Sequence, residues 1–514
     1  MKSTARWVSA SALLLPLGFL VNACEPDCAA TLRCEDTTDT EDDRNTIPRE
    51  CDPSSIDWKN DPDCGVFVSL AGNDAGAGTP DAPVATLKVA IDLAKGKPVY
   101  ACADTDVTKA FEEALIIDHH VTLFGGLDCQ TWRRDPARMT HWTAPAGQIV
   151  TKLTPAASLR AEGFAIQAKD APALGDGEHA PGRSSIAIVA ETGSLLELSN
   201  CEVGAGRGGD GAVGETPAGT GEPGANGEDG QQGCIGPDAH LGGAGGALEC
   251  GGVGVAGGRG GTGDNGANGG QGSPGQPADP TGGKGGAGQG PTSCTIERIG
   301  GAGNAGTVGT AGAGASAEQP GTLTLDGIIG ASGADGGPGK PGQGGGGGGG
   351  ASTCWVAPNV HAGPSGGGGG SGGCAGLGGK GGHAGGASIA ILGLNAEIRL
   401  TDVSLLTSRG GNGGNGGEGQ AGGAGGNGGI AGMGNPNSVA CPGGTGGQGG
   451  TGGKGGGGRG GHSIGIAHTG AAPDISKASF NTDVVIEPAP GGNVGIGPGS
   501  AGAAGEVASI LQFE

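Results

Sequence analysis

Ser388-Ile389-Ala390-Ile391-Leu392 opens the stretch whose reading decides the fold. After a short break it resumes as Ala396-Glu397-Ile398-Arg399-Leu400-Thr401-Asp402-Val403. It then passes into Gly410-Gly411-Asn412-Gly413-Gly414-Asn415-Gly416-Gly417 and runs on as Gly-Gly-X to Gly429. Alternating apolar residues make half-buried strands, whereas a period-three glycine tract has no side chains to bury. The same order occurs twice more. Ser185-Ile186-Ala187-Ile188-Val189 leads through Leu196-Glu197-Leu198 to glycine from Gly204. Ser463-Ile464-Gly465-Ile466 emerges from glycine and leads to Val484-Val485-Ile486. A repeat whose extra sequence enters at one point of the cycle predicts a solenoid.

Composition divides the chain at the same place. Of 126 glycines in 514 residues, 14 precede Gly204 and 112 follow in the last 311. Among 13 aromatic residues, Trp355, Phe480 and Phe513 alone lie beyond Val203. A side-chain core is expected in the first half and a thin one in the second. The net charge of −23 argues against nucleic acid or anionic lipid as a partner.

Residues 1–23 read as an export signal, with Lys2 and Arg6 ahead of an apolar stretch from Val8 to Val21. That stretch is too short to span a bilayer and contains Pro16. Leu20-Val21-Asn22-Ala23-Cys24 resembles a bacterial lipobox, which implies Cys24 as a lipidated N-terminus and the lipid as membrane anchor. Val21-x-Ala23 also suits ordinary signal peptidase. The expected destination is the outer membrane or cell surface, with the periplasmic face as alternative. Residues 24–64 are expected to form an acidic spacer, stiffened by pairing among Cys28, Cys34, Cys51 and Cys64.

The folded part begins at Val66-Phe67-Val68. Thr86 to Ala94 carries apolar residues at helical spacing and stops at Gly96. Short strands follow at Val99–Cys102, Ala114–Ile117, Val121–Phe124, Ile149–Leu153 and Ala161–Ile166. The order strand, Gly72-Asn73-Asp74 turn, helix, strand, then Val121-Thr122-Leu123-Phe124-Gly125-Gly126, resembles the start of a right-handed parallel β-helix of the pectate-lyase-like group. The resemblance covers residues 65–203 and implies an N-terminal capping helix. The expected fold class is therefore all-β, a right-handed parallel β-helix with long polyglycine-II-like insertions in residues 204–514.

Three glycine blocks, 204–320, 331–386 and 409–462, alternate with strands, including Thr322–Ile329. Their period of three fits an extended helix of about 3.1 Å rise per residue without internal hydrogen bonds. Collagen is a poor candidate because the triplets are broken and poor in Pro. Random coil is the bland alternative, since ordering a residue costs about 1–2 kcal/mol and glycine loses most. Packed bundles, whose bare backbones hydrogen-bond one another, are the expectation adopted. The blocks resemble PGRS-type glycine-rich proteins.

Cysteine parity bears on the bundles. Block one holds Cys234, Cys250 and Cys294, block two Cys354 and Cys374, block three Cys441. Odd counts in blocks one and three require a bond between blocks, expected to tie those two. Cys102 can pair with Cys129, which leaves Cys201 as a buried free thiol on a strand.

Catalytic signatures are sparse. Asn481-Thr482-Asp483 resembles a polygalacturonase tripeptide, but the partners of that motif do not follow, and a polar turn is the simpler reading. Lys284, Lys380 and Lys454 each precede Gly, so no phosphate loop is complete. His119 and His120 are strand neighbours that point to opposite faces, a poor chelate. No catalytic residue, metal ligand or cofactor is expected. The functional expectation is a non-catalytic, structural or adhesive envelope protein, with carbohydrate or matrix as partner and no nucleic acid. The rivals are a polysaccharide-active β-helix enzyme and, by resemblance to disulfide-linked glycine-helix antifreeze proteins, an ice binder.

Overall fold

In a computed structural model, the residues described are 47–264, 269–288, 293–318, 321–476, 479–480 and 500–514. The leader, Cys24, Cys28, Cys34, Asn481-Thr482-Asp483 and Val484-Val485-Ile486 lie outside them.

The repeated strand pattern becomes a parallel stack. Ser185 pairs with Ser388, Ser388 with Ser463 and Ser463 with Val507. Each of the strands Ser185–Ala190, Ser388–Leu394 and Ser463–Thr469 is buried on both faces. Ile188, Ile391 and Ile466 join the main apolar cluster, while Ile186, Val189, Ile389, Leu392 and Ile464 join a second one behind it. This sheet has six strands, from Leu115–Ile117 to Val507–Gln512, all parallel. The closing Leu511 and Gln512 form part of its last strand.

A larger, 11-stranded parallel sheet lies across the main cluster. Its interior rung runs Val99, Leu123, Ala161, Leu198, Leu400 and Ile475, each in register with the next. The long strands Leu195–Gly204 and Glu397–Leu406 turn a corner in mid-course. Leu195–Gly204 pairs with Ser158–Glu162 before the corner and with Phe164–Gln167 after it. At the corner Gly163, Asn200 and Asp402 take φ of 75°, 49° and 51°. Glycine, Asn and Asp enter that left-handed region at least cost, so the sheet curls where they stack. Nothing in apolar periodicity announces this corner.

The helix Leu87–Ala94 starts where its periodicity predicts, with Thr86 accepting a hydrogen bond from the Val89 N–H at 3.3 Å. Glu113, from the next turn of chain, accepts from the free amides of Leu87 and Lys88 at 2.7 and 2.9 Å. Leu87, Ala90, Ile91 and Ala94 enter the main cluster.

Three expectations change. Residues 49–64 do not hang as a linker but belong to the compact unit Arg49–Glu514. Trp58 is buried against Tyr100, its Nε1 donating to Trp132 O at 2.9 Å, and Tyr100 Oη donates to Cys51 O at 2.6 Å. The acidic average of the segment hid this one large apolar side chain. Thr322–Ile329 is a hairpin of Thr322–Thr324 on Gly327–Ile329, which lays Ile328 on the second cluster. The glycine blocks also contain two unforeseen hairpins, Ala247–Cys250 with Val253–Ala256 and Cys354–Val356 with Asn359–His361.

Candidate functional site: a bundle of glycine threads

Residues 205–387 leave the larger sheet at Gly204 and return beside Ser185; residues 407–462 leave and return the same way. Between these points the backbone runs as straight threads joined by amide hydrogen bonds. Thread 366–386 lies at the centre. Its N–H groups go out in three directions by turn. Gly367, Gly370 and Gly373 donate to the carbonyls of Cys441, Gly444 and Gly447. Gly368, Ser371 and Cys374 donate to Glu228, Ala225 and Glu222, while Gly366 and Gly369 donate to Gly261 and Gly258. Its carbonyls accept from three further threads, through Gly429, Gly426 and Gly423, through Gly348, Gly345 and Gly342, and through Gly243 and Gly246. These bonds measure 2.7–3.1 Å. One residue in each triplet thus serves one direction, as a three-residue repeat requires.

Such closeness excludes side chains. A Cβ on Gly368, Gly369 or Gly370 would lie 2.0, 2.0 or 2.1 Å from the carbonyl oxygens of Ala244, Gly345 and Gly426. The number of glycines per triplet therefore measures how many sides of a thread are covered. The central thread is Gly366-Gly367-Gly368-Gly369-Gly370 at its most enclosed point. Thread 410–429 is Gly-Gly-X, with Asn415 and Asn427 exposed on its open side. Thread 221–233 sits at an edge and keeps one glycine in three. Thread 333–350 changes class along its length. It begins as Gly-X-Y at Gly333 to Gly342, and becomes the unbroken run Gly344–Gly350 where the chain around 258–261, 270–273 and 286 comes to cover it.

Amides left over at the faces find side-chain acceptors. Asp210, Asn226 and Asp229 accept from the N–H groups of Asn412, Asn427 and Ile430 at 2.7, 2.8 and 2.9 Å. Thr216 Oγ1 accepts from Glu418 N at 2.9 Å. Asp335 bridges Gly381 N and Lys380 Nζ, each at 2.9 Å, and these donors hold its carboxyl below the usual range. Many of the exposed polar side chains of the blocks thus finish the lattice.

Three disulfides cross the bundle. Cys294–Cys441 joins blocks one and three; Cys234–Cys354 and Cys250–Cys374 join blocks one and two. Cys102–Cys129 links neighbouring strands of the larger sheet and its loop, and Cys51–Cys64 closes the former spacer. Five disulfides are consistent with an oxidising, extracytoplasmic environment. Cys201 is unpaired and buried on its strand, and burial pushes its thiol up to about 11.

Among the described residues, reactive groups do not converge. His119 Nδ1 lies 2.7 Å from its neighbour Asp118, and His120 Nδ1 lies 2.6 Å from Ser158 Oγ across the strands. Among the described residues no three His, Cys, Asp or Glu are grouped to hold a metal. A cleft beside the bundle is lined by Asp170, Glu178, His179, Arg207 and Asp210. Its acids are engaged: Asp170 accepts from Arg207 N at 2.7 Å, and Asp210 meets Arg207 Nη2 at 3.0 Å. The Gly175 N–H, with the charge of Arg183, holds Glu178 below the ordinary range, the reverse of what a general acid needs. Among the described residues, no helix is long and apolar enough to cross a membrane.

No family profile matches the chain, and no curated protein matches it. Among solved structures a rhamnogalacturonan lyase is similar over 29% of this chain and 38% of its own, at 14% identity and a TM-score of 0.19. This chain thus spans well under half of that protein's length.

Proposed function

We propose that this chain is an exported, non-catalytic surface protein with a structural or adhesive role. In this reading the curled parallel sheets are coils of a right-handed β-helix of the pectate-lyase-like kind, closed at one end by the helix Leu87–Ala94. The glycine threads are polyglycine-II insertions that leave it at one corner, as in PGRS-type proteins, and Cys24 carries the lipid that anchors the chain to the outer membrane. One observation carries the proposal: the glycine half spends its main chain on a rigid, disulfide-tied bundle and keeps side chains for the outside. A rigid polar surface of that kind favours contact with carbohydrate or matrix over chemistry.

The test uses the purified protein with its disulfides intact. Retention on glycans or matrix fractions, without depolymerisation, is the expected result. Reproducible glycan turnover would defeat the proposal in favour of a polysaccharide-active enzyme. Fatty-acid labelling lost in Cys24→Ala checks the anchor separately.

A further inference from the structure

The far end of the bundle carries an exposed indole, the only exposed tryptophan among the described residues. There Trp355, Val356 and Val360 of the Cys354–His361 hairpin stand beside Ile235 and Met433. Trp355 is 64% exposed, Ile235 64% and Met433 69%. Among the described residues the other tryptophans are covered: Trp58, Trp132 and Trp142 are 7%, 2% and 0% exposed. An indole left in water on a glycine scaffold is an apolar surface held ready for a partner.

We propose that this tip is a contact site for a neutral, pyranose-based glycan, with Trp355 as the stacking platform. The inference rests on the adhesive reading above and gives it a place. Three features select this occupant. The platform is fixed in advance, because Cys354 is bonded to Cys234, the hairpin pairs Trp355 with Val360, and Asn435 Nδ2 donates to Trp355 O at 3.3 Å. Little ordering cost then opposes binding. A pyranose ring has an apolar C–H face for the indole and a rim of hydroxyls, and the amides of Asn359, at the start of the second hairpin strand, and Asn437, on a turn, are exposed. Finally, residues 231–241, 350–365 and 429–441, which build the tip, contain no Lys or Arg but include Asp238. A surface without cations does not recruit an acidic polysaccharide, a nucleic acid or an anionic bilayer.

The experiment follows tryptophan emission and retention on insoluble β-glucan and chitin, with the full disulfide-bonded chain freed of its leader. Because the three other tryptophans then present are buried, acrylamide quenching reports Trp355. Soluble neutral oligosaccharides should shield it. Trp355→Ala should lower affinity about tenfold or more, while Trp355→Tyr keeps most of it. Amide protection across Gly366–Gly386 in both variants shows that the bundle still stands. Equal binding by Trp355→Ala overturns this site and leaves the adhesive reading intact. Shielding by neutral phospholipid vesicles but not by sugars means a bilayer occupies the tip, and shielding that rises with protein concentration means a second copy does; either overturns the inference. Failure of the wild-type chain to bind any glycan or matrix fraction removes both.

Discussion

The two halves of this molecule solve one problem with opposite materials. In the curled sheets the interior is side chain: Leu123, Leu159, Leu198 and Leu400 are almost wholly enclosed, and full burial of each contributes roughly 1.5–3 kcal/mol. In the bundle the interior is main chain, with Gly344–Gly350 and Gly366–Gly370 among its wholly buried stretches. A hydrogen bond nets about 1 kcal/mol, whereas fixing a glycine costs about 1–2 kcal/mol or more, so the margin is thin. The three disulfides crossing the bundle shift that balance by restricting the unfolded chain. The sheets tolerate a change of side-chain size by adjustment; the bundle has no side chains to adjust.

The contrast breaks most sharply at Gly369. Gly369→Leu places Cβ 2.0 Å from Gly345 O, a backbone atom held on several sides, and should cost more than about 4 kcal/mol. Hydrogen exchange should then lose protection from Gly344 to Gly350 and from Gly410 to Gly429 while Leu195–Gly204 keeps it. Unchanged protection in the threads would mean they are not packed as described. Cys250→Ser with Cys374→Ser opens a bond spanning 124 residues and should cost the bundle about 4–5 kcal/mol. Calorimetry should show the glycine half melting earlier and the sheets little changed.

Leu198→Ala supplies the converse. It removes a fully buried side chain from the interior rung and should cost about 3 kcal/mol, read as a lower melting temperature of the sheet transition. The smallest effect is electrostatic. Asp335 has its carboxyl lowered by Lys380 and the Gly381 N–H. Its contribution is therefore present above the unfolded carboxyl value and lost as pH falls through the lower folded one. The pair is exposed, so Asp335→Asn should cost under about 1 kcal/mol at neutral pH, and the difference from wild type should vanish as pH falls below the folded carboxyl value. A difference of equal size on the acid side would mean that Asp335 acts through its hydrogen-bond geometry rather than its charge.

Much of the sheet architecture was legible because period-two apolar residues at Ser185–Val189, Ser388–Leu392 and Ser463–Ile466 have one use, pairing side by side. The corner at Asn200 and Asp402 was not, because a left-handed residue leaves no mark on the apolar alternation around it. The hairpin carrying Trp355 was equally silent. Strands of three residues within a glycine block fall below any periodic signal, and the exposure of Trp355 follows from where its hairpin ends up.

From the sequence alone came the parallel strands, the glycine period of three and the odd cysteine counts, because each is a local or arithmetical property of the chain. Tertiary structure decided which thread lies at the centre, which cysteines meet and that Trp355 is left exposed. These depend on contacts between segments more than a hundred residues apart, such as Cys234 and Cys354 at a separation of 120. A glycine cannot record its neighbours by type, only by its own lack of a side chain.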